Sequence, residues 1–500
     1  MRILVIVLLA ALVSVESSAQ PLELVPSTLV VPQKYQKYFD STRTLNLPRG
    51  FTMSVYATGS FSVPRFLEFN PQGVLCIADD SYKTVMAMPD KDSDGVADTI
   101  YEIAAGTEGA HDIAFYGGGM LAGSPNHVWQ YDNPSSTGIY SSKHLFIDSI
   151  GAAPEGVLNH NLRTMLIDEA SKSLYIGVGA PCNACREKDT TRATIQRYSL
   201  EGLPRELYAT GMRNATGLAM DSSHQLWAAV ADRNDQGQDL PSDYVTRVTR
   251  SGFYGWPLAF GNQQWVDLNV DSEYKAMLPT TAADTARVAS TLPPDVPVAA
   301  HSTPLGLIYC KNPNLPAYMD NTLLVSIHGS YPGPTGRFIA NGSKIMLISN
   351  IGGKWTAQDF LTGLLTDSVN YGRWARPCGL VMDRKGNIYF SSDHTAPHVT
   401  PAVYRISFDP KNAVEPALPS PGLLDITQEA GGWNLTVHST EHASILLYDM
   451  LGRRVEAHVS ERSVSVDGRS FYLDATEMQH GVYWVVVQCG GERVARRIVQ

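Results

Sequence analysis

The sequence predicts an all-β chain, a six-bladed β-propeller followed by a small Ig-like β-sandwich, and three observations carry that expectation. The 41 glycines and 30 prolines among 500 residues supply turns at the density that many short strands require. One unit also recurs along the chain: a polar or Gly/Pro turn, an apolar strand, a short turn and a second apolar strand. It reads VPRFLEFNPQGVLCIADD from Val63, GAHDIAFYGGGMLAGS from Gly109, HNLRTMLIDEASKSLYIGVG from His160 and RNATGLAMDSSHQLWAAVAD from Arg213. Looser copies follow at STPLGLIYC from Ser302, running on to NTLLVSIHG, and at RPCGLVMDRKGNIYFSSD from Arg376. The early copies stand roughly 50 residues apart, the spacing of propeller blades. Finally, the chain beyond Leu424 alternates apolar and polar residues in short runs, the pattern of a sandwich.

A four-stranded sheet cannot bury both of its faces alone, whereas sheets stacked radially cover one another and leave only short protected edges. Six copies therefore imply six blades. The first 19 residues, MRILVIVLLAALVSVESSA, hold one Arg before an apolar run that fades into small residues, the form of a cleaved secretory signal peptide. A tail over 20–41 precedes the propeller, expected over 42–408. The run from Gly50 to Ala57 alternates as a strand, and we expect it to pair with Ala402–Phe408 and so fasten the ring. The wider spacing of the later copies calls for insertions, notably the Ala/Thr/Pro-rich stretch from about Asn262 to Ala299. A Pro-rich linker over 409–423 separates the propeller from a domain over 424–500, with strands expected at Trp433–Val437, Ser444–Asp449, Phe471–Leu473, Val482–Gln488 and Arg493–Val499.

A net charge of -10 argues against a nucleic-acid partner, whose phosphates need a basic face. Cys182 and Cys185 form a C-x-x-C pair with no second pair to complete a zinc site and no following His for haem attachment. A local disulfide or a free pair is the expectation, while Cys76, Cys310, Cys378 and Cys489 lie too far apart in sequence for their pairing to be read. The acidic loop Asp90-Lys91-Asp92-Ser93-Asp94-Gly95-Val96-Ala97-Asp98 places carboxylates at alternate positions before a turn glycine. That arrangement points to a structural calcium held by Asp90, Asp92, Asp94 and Asp98.

The stretch Gly211–Pro257 concentrates polar residues just after glycines and before apolar strands, where a propeller keeps its chemistry. Its Arg213-Asn214-Ala215-Thr216-Gly217 and Tyr254-Gly255-Trp256-Pro257, with His160-Asn161-Leu162-Arg163 upstream, resemble signatures of the soluble glucose/sorbosone dehydrogenase family, quinoproteins that use pyrroloquinoline quinone (PQQ). The resemblance implies that His160 is the general base and that Arg213 stabilises charge on the quinone. It also implies that Arg213, Asn214, Gln236, Arg373 and Arg376 contact PQQ, and that Gly237 and Gln238 hold a PQQ-bound calcium. The chain departs from the soluble glucose dehydrogenases at the fifth copy, where Ile327-His328-Gly329-Ser330 stands in place of a lysine. The last domain resembles the C-terminal sorting domain of the type IX secretion system, through Leu447-Tyr448-Asp449-Met450-Leu451-Gly452-Arg453, His480-Gly481-Val482-Tyr483 and Arg496-Arg497-Ile498-Val499. The expectation is thus a secreted or cell-surface oxidoreductase acting on a small sugar and passing electrons to an unnamed acceptor, exported by the outer-membrane type IX machinery. The rival expectation is a non-catalytic surface propeller that binds glycans or protein partners.

Overall fold

A computed structural model describes residues 22–39, 42–151, 160–330, 339–393, 399–413, 424–429, 431–439, 441–449, 454–465, 468–476, 478, 481–489 and 492–500. The expected signal peptide, much of the 409–423 linker, and the tail residues Met450, Leu451, Gly452, Arg453 and His480 lie outside them. The chain divides into two compact units between Pro410 and Lys411.

The first unit is all-β and propeller-like, with few and short helices. Six of its sheets are built on four antiparallel strands, the third gaining Gly252–Phe253 as a fifth, parallel one, and each begins at one copy of the sequence repeat. Their first strands are Pro64–Phe69, Asp112–Tyr116, Met165–Asp168, Ala215–Met220, Pro304–Cys310 and Pro377–Met382. These six strands touch in cyclic order, the last against the first. Phe51–Thr58 completes the last sheet by pairing with Ala402–Phe408 in the register Phe51↔Phe408 to Thr58↔Ala402. The N-terminal strand is thereby hydrogen-bonded to the last strand of the unit.

Why the second strand of each copy reads as an unbroken apolar run follows from the packing. Leu75–Asp79 and Leu226–Val230 are buried at all five positions. Successive side chains point to opposite faces, so Ile77 packs with Val381 and Tyr389 of the last sheet while Cys76 and Ala78 pack with Ile113 and Met120 of the second. In the fourth sheet Ala228 and Val230 meet Tyr175 and Ile195 of the third. Trp227 and Ala229 turn the other way, against Leu323 and Val325 of the fifth. A sheet covered on both faces has no polar face to show, and its alternation vanishes from the sequence. Trp227 is fully buried, with its ring 4.6 Å from that of Trp355. Filling such a site is worth about 3–5 kcal/mol relative to alanine.

The inner strands approach so closely that a side chain is excluded at their contacts. A Cβ on Gly217 would overlap the carbonyl oxygen of Leu305 on the next inner strand, and one on Gly379 would lie 2.7 Å from the Cα of Phe66. The Gly-Leu step shared by RNATGLAM, STPLGLIY and RPCGLVM is this contact written in sequence.

Two features were less legible. The stretch read as an N-terminal tail carries the strand Leu24–Thr28, paired with Thr44–Pro48. The insertion near 262–299 carries two short helices, Ser272–Lys275 and Ala282–Ala289. Thr281 and Asp284 form a reciprocal capping box on the second. Cys182 and Cys185 are joined by a disulfide, and the other four cysteines are buried thiols.

The second unit holds two four-stranded sheets. One contains Leu424–Glu429, Gly432–Val437, Val459–Ser465 and Gly468–Asp474, and the other Ala443–Asp449, Arg454–Val455, Val482–Cys489 and Glu492–Val499. Trp433, Leu435, Phe471, Leu473, Val485 and Val487 share its core. Leu424–Glu429 and Val459–Ser465 were not foreseen, because their outward positions are so polar that the alternation is faint.

Candidate active site

Each repeat copy carries a polar residue close to the start of its inner strand, and the ring of contacts brings these starts to one end of the unit. Arg65, His111, Arg163, Asn214, Thr303 and Arg376 occupy the six positions, each within two residues of an inner-strand start. Four of the six are fully or almost fully buried: His111, Arg163, Asn214 and Arg376. Buried polar groups are costly unless paired, so their partners disclose what the end of the ring is built to do.

His160 sits where the third copy begins, in left-handed backbone with φ 54°. Arg163, wholly buried, holds that bend by donating from Nη1 to the carbonyl of His160 at 2.8 Å. The imidazole Nδ1 lies 2.7 Å from the carbonyl oxygen of Ala180. A carbonyl only accepts, so Nδ1 carries the proton and Nε2 keeps its lone pair. Burial, reinforced by the charge of Arg213, pushes the His160 pKa down to about 3. The ring is therefore neutral at physiological pH, with an acceptor nitrogen that no described residue occupies.

Arg213 and Asn214 stand beside it. A Cβ on Gly179 would collide with both the His160 Cβ and the Asn214 Oδ1, so this glycine is what lets the two side chains close on one another. Arg213 donates from Nη2 to Asn183 Oδ1 at 2.7 Å, from Nε to the Asn183 carbonyl at 3.4 Å and from Nη1 to the Asp232 carbonyl at 2.8 Å. Two of the five guanidinium N–H groups remain for a ligand. The Oδ1 of Asn214 is buried without a hydrogen-bond partner. An orphaned acceptor costs about 1–3 kcal/mol, and here it lies on the Gly179 side of His160, next in sequence to Arg213.

Arg376 is reached from Arg213 by a continuous run of hydrogen bonds. The Asp232 amide donates to Asp243 Oδ1 at 2.7 Å, and Asp243 Oδ2 accepts the amides of Ser302 and Thr303 at 2.9 and 2.7 Å. Burial pushes the Asp243 pKa up to about 7. Gly329 donates to the Ser302 carbonyl, and the Gly329 carbonyl accepts from Arg376 Nη2 at 2.9 Å. Arg373 lies against the same glycine, 3.0 Å from where a Cβ would stand. Gln236 and Gln238 use their side chains to pin neighbouring loops at Asp267 and Ile339, and the Gly237 carbonyl accepts from His301 Nε2 at 2.7 Å.

Sequence reasoning missed the buried group at the start of the sixth sheet. His328 Nδ1 accepts from Arg376 at 2.9 Å, and its Nε2 donates to Asp393 at 3.0 Å, which Arg65 also pairs at 2.6 Å. Burial pushes the His328 pKa down to about 4. Burial also raises that of Asp393, but His328, Arg65 and Arg376 outweigh it and hold the carboxyl far below the usual range. His111, 1% exposed and 4.8 Å from the Phe66 ring, has no partner among the described residues on either ring nitrogen. The available signal was that His111 and Arg376 each stand one residue before an inner-strand start, with Arg65 one residue after its own.

At the other end of the inner strands lies a cavity of about 530 Å³, lined by Glu68, Asp112 and apolar residues that include Phe69, Phe115, Leu307 and Leu380. None of the sequence-predicted site residues lines it. The acidic loop follows the third strand of the first sheet, Thr84–Met88: Asp90, Asp92 and Asp98 bring carboxylate oxygens within 4.8 Å of one another, while Asp94 turns to the Val96 amide at 2.8 Å. If this loop takes calcium, chelation should lower the melting temperature. Saturation at a hundred times Kd contributes about 2.7 kcal/mol. Differential scanning fluorimetry with and without EGTA, and with Asp92→Asn, checks this, and an unchanged transition would dismiss the cation.

An all-β, propeller-like unit with an arginine-rich site at one end of its inner strands is the class that fold and geometry define. The chain belongs to the TrAA12-like family, whose model matches residues 45–397. Residues 432–500 match the secretion system C-terminal sorting domain, a type IX tail that implies export and engagement with the secretion machinery. Among solved structures, the PQQ domain of pyranose dehydrogenase from Coprinopsis cinerea is 18% identical with a TM-score of 0.59, over 76% of this chain and 100% of that one. At that identity it establishes the fold. The PQQ-bound aldose sugar dehydrogenase of Streptomyces coelicolor is 17% identical with a TM-score of 0.49, over 73% of this chain and 100% of that one. An uncharacterized protein of Borreliella burgdorferi is 22% identical over 363 residues, 70% of this chain and 89% of its own length.

Proposed function

We propose that this protein is an exported quinoprotein dehydrogenase that oxidises a sugar of the aldose or sorbosone class, with His160 as general base. The observation that carries the reading is the neutral His160 ring, its Nδ1 committed to Ala180 and its Nε2 without a described partner, within reach of the Arg213 charge and packed with Asn214 at Gly179. In this reading the six sheets over 42–408 are the blades of one propeller. Residues 1–19 are a signal peptide removed on export, 20–41 lead into the propeller, 409–423 form a linker and 424–500 an Ig-like sorting domain.

The donor set suits PQQ, a flat tricarboxylate. Although the chain carries a net charge of -10, arginines 213, 373 and 376 gather at this end of the ring, and guanidinium forks match carboxylates. Arg213, Asn214, Gln236, Arg373 and Arg376 would hold the group, with calcium on main-chain oxygens at Gly237 and Gln238. Bound PQQ supplies a two-electron acceptor for substrate hydride. The remaining work falls to the chain. Ala180 fixes the His160 tautomer, Arg163 fixes its backbone, and Nε2 takes the substrate hydroxyl proton.

Steady-state assays of the full chain with PQQ, calcium and an artificial dye, across aldoses and 2-ketoaldehydes, test this. Dye reduction by at least one sugar is expected, and its absence across the panel at saturating PQQ would overturn the proposal. The pH profile gives a second result. With a pKa of about 3, His160 is in its base form at every pH well above that value, so kcat/KM should show no acid limb near 6.5, the ordinary histidine pKa. A limb centred there would show that the ring titrates normally and that the burial argument is wrong.

A further inference from the structure

We infer that Asn183, enclosed by the Cys182–Cys185 bridge, is the positioning residue for Arg213, and that reduction of this bridge by a dithiol releases Arg213 from its working orientation. The inference rests on the reading above for its meaning to PQQ binding, but its first test does not.

Of the three hydrogen bonds that orient the Arg213 guanidinium, two end on Asn183, at Oδ1 and at the main-chain oxygen. The same main-chain oxygen accepts the indole N–H of Trp256 at 2.9 Å. The Asn183 Nδ2 donates to Asp235 Oδ2, and Asp235 Oδ1 accepts from Tyr274 at 2.5 Å. Both the oxygen and the nitrogen of the Asn183 amide are therefore engaged, and its direction sets that of Arg213. The segment around it has no helix or strand to hold it. Its local brace is the disulfide, which joins residues three apart and closes a loop with Asn183 inside. Both cysteines pack on the Ala180, Ala193 and Trp256 cluster.

The insertion supplies the outer support. Arg186, next to the bridge, pairs with Asp284 at 2.8 Å and donates to the Met277 carbonyl at 2.6 Å, and the Ala184 amide donates to Glu273 at 3.4 Å. Arg186 and Asp284 are partly exposed, so this pairing alone contributes little. The bridge cysteines are half-buried, whereas the other four cysteines are buried thiols, and the bridge is the one disulfide among the described residues. A dithiol would attack one bridge sulfur and then close on itself. Two electrons and two protons pass to Cys182 and Cys185, and the reductant leaves as a cyclic disulfide. An oxidising extracellular setting keeps the bridge formed.

The test follows Arg213 by phenylglyoxal modification and peptide mass spectrometry in the full chain, folded and oxidised, against the same chain reduced with dithiothreitol and alkylated. Arg213 is 8% exposed in the bridged form and should react slowly. Losing its buried acceptors should raise the rate about tenfold, with exposed Arg250 as the unchanged reference. Asn183→Ala should reproduce the increase with the bridge intact, and the Cys182→Ser/Cys185→Ser variant should reproduce it without reductant. An Arg213 rate that stays within about twofold of the oxidised chain in the reduced form and in Asn183→Ala would overturn the inference. A parallel PQQ titration should show affinity falling about tenfold on reduction. Should the oxidised chain bind no PQQ at all, the functional proposal fails, while the Arg213 rates still decide the role of Asn183.

Discussion

His160→Ala is expected to lower PQQ-dependent dye reduction by about a thousandfold, while the thermal transition moves by only a few degrees. Nδ1 is committed to Ala180, the proton sits there, and Nε2 is the one basic atom the ring presents beside Arg213 and Asn214. His328 does not replace it, since Arg376 and Asp393 engage its two nitrogens. The backbone complicates the alanine variant, because φ at this position is 54° and alanine resists the left-handed region. His160→Asn is therefore the better-controlled change: asparagine tolerates that conformation and lacks a base of comparable strength. Both variants should lose turnover together. Turnover at the wild-type level in either would remove His160 from the mechanism, and loss in the alanine variant alone would assign it to the backbone.

Gly217→Val is expected to cost about 4 kcal/mol or more, enough to lower the melting temperature by roughly 10 °C or leave the protein insoluble. A Cβ here overlaps the Leu305 carbonyl oxygen of the neighbouring inner strand, and a main-chain atom in a sheet cannot swing aside as a flexible side chain can. Nearby, Thr216 donates to the Pro304 carbonyl at 2.6 Å, so parting the strands would also break a buried hydrogen bond. Gly353→Ala is the comparison. It sits at an exposed turn with φ 87° and nothing within 4 Å of its Cβ position, so only the backbone term of about 1 kcal/mol applies. Thermal melts of the two variants give the answer directly, and equal shifts would mean that the inner strands are not packed as described.

Both results bear on how far the sequence could be read. The repeat was legible because each copy obeys the same packing demand: an apolar inner strand, a glycine at the closest approach and a doubly covered second strand such as Leu226–Val230. The closure of Phe51–Thr58 on Ala402–Phe408 was legible for a related reason, since each alternates and would otherwise leave an edge bare. His160, Arg213 and Asn214 were singled out through short motifs. What stayed hidden was every contact made across large sequence separations. Nothing near Arg65 announces Asp393, nothing near Arg213 announces Asn183, and Gly179 looks like any strand-end glycine until His160 and Asn214 are seen to close over it. His111 was passed over because a lone histidine before a strand carries no chemical signal of its own. Its meaning comes from burial without a partner, a property of the assembled ring.

The claim on which the account turns is that the Arg213 end of the ring holds a planar polyanion. An equilibrium titration of the full chain with PQQ in excess calcium, followed by tryptophan quenching because Trp256 adjoins the site through Asn183, tests it most directly. The account predicts saturable binding of one PQQ per chain, weakened about tenfold or more by Arg213→Ala. Quenching that rises linearly with added PQQ, or saturation indifferent to Arg213, would contradict it.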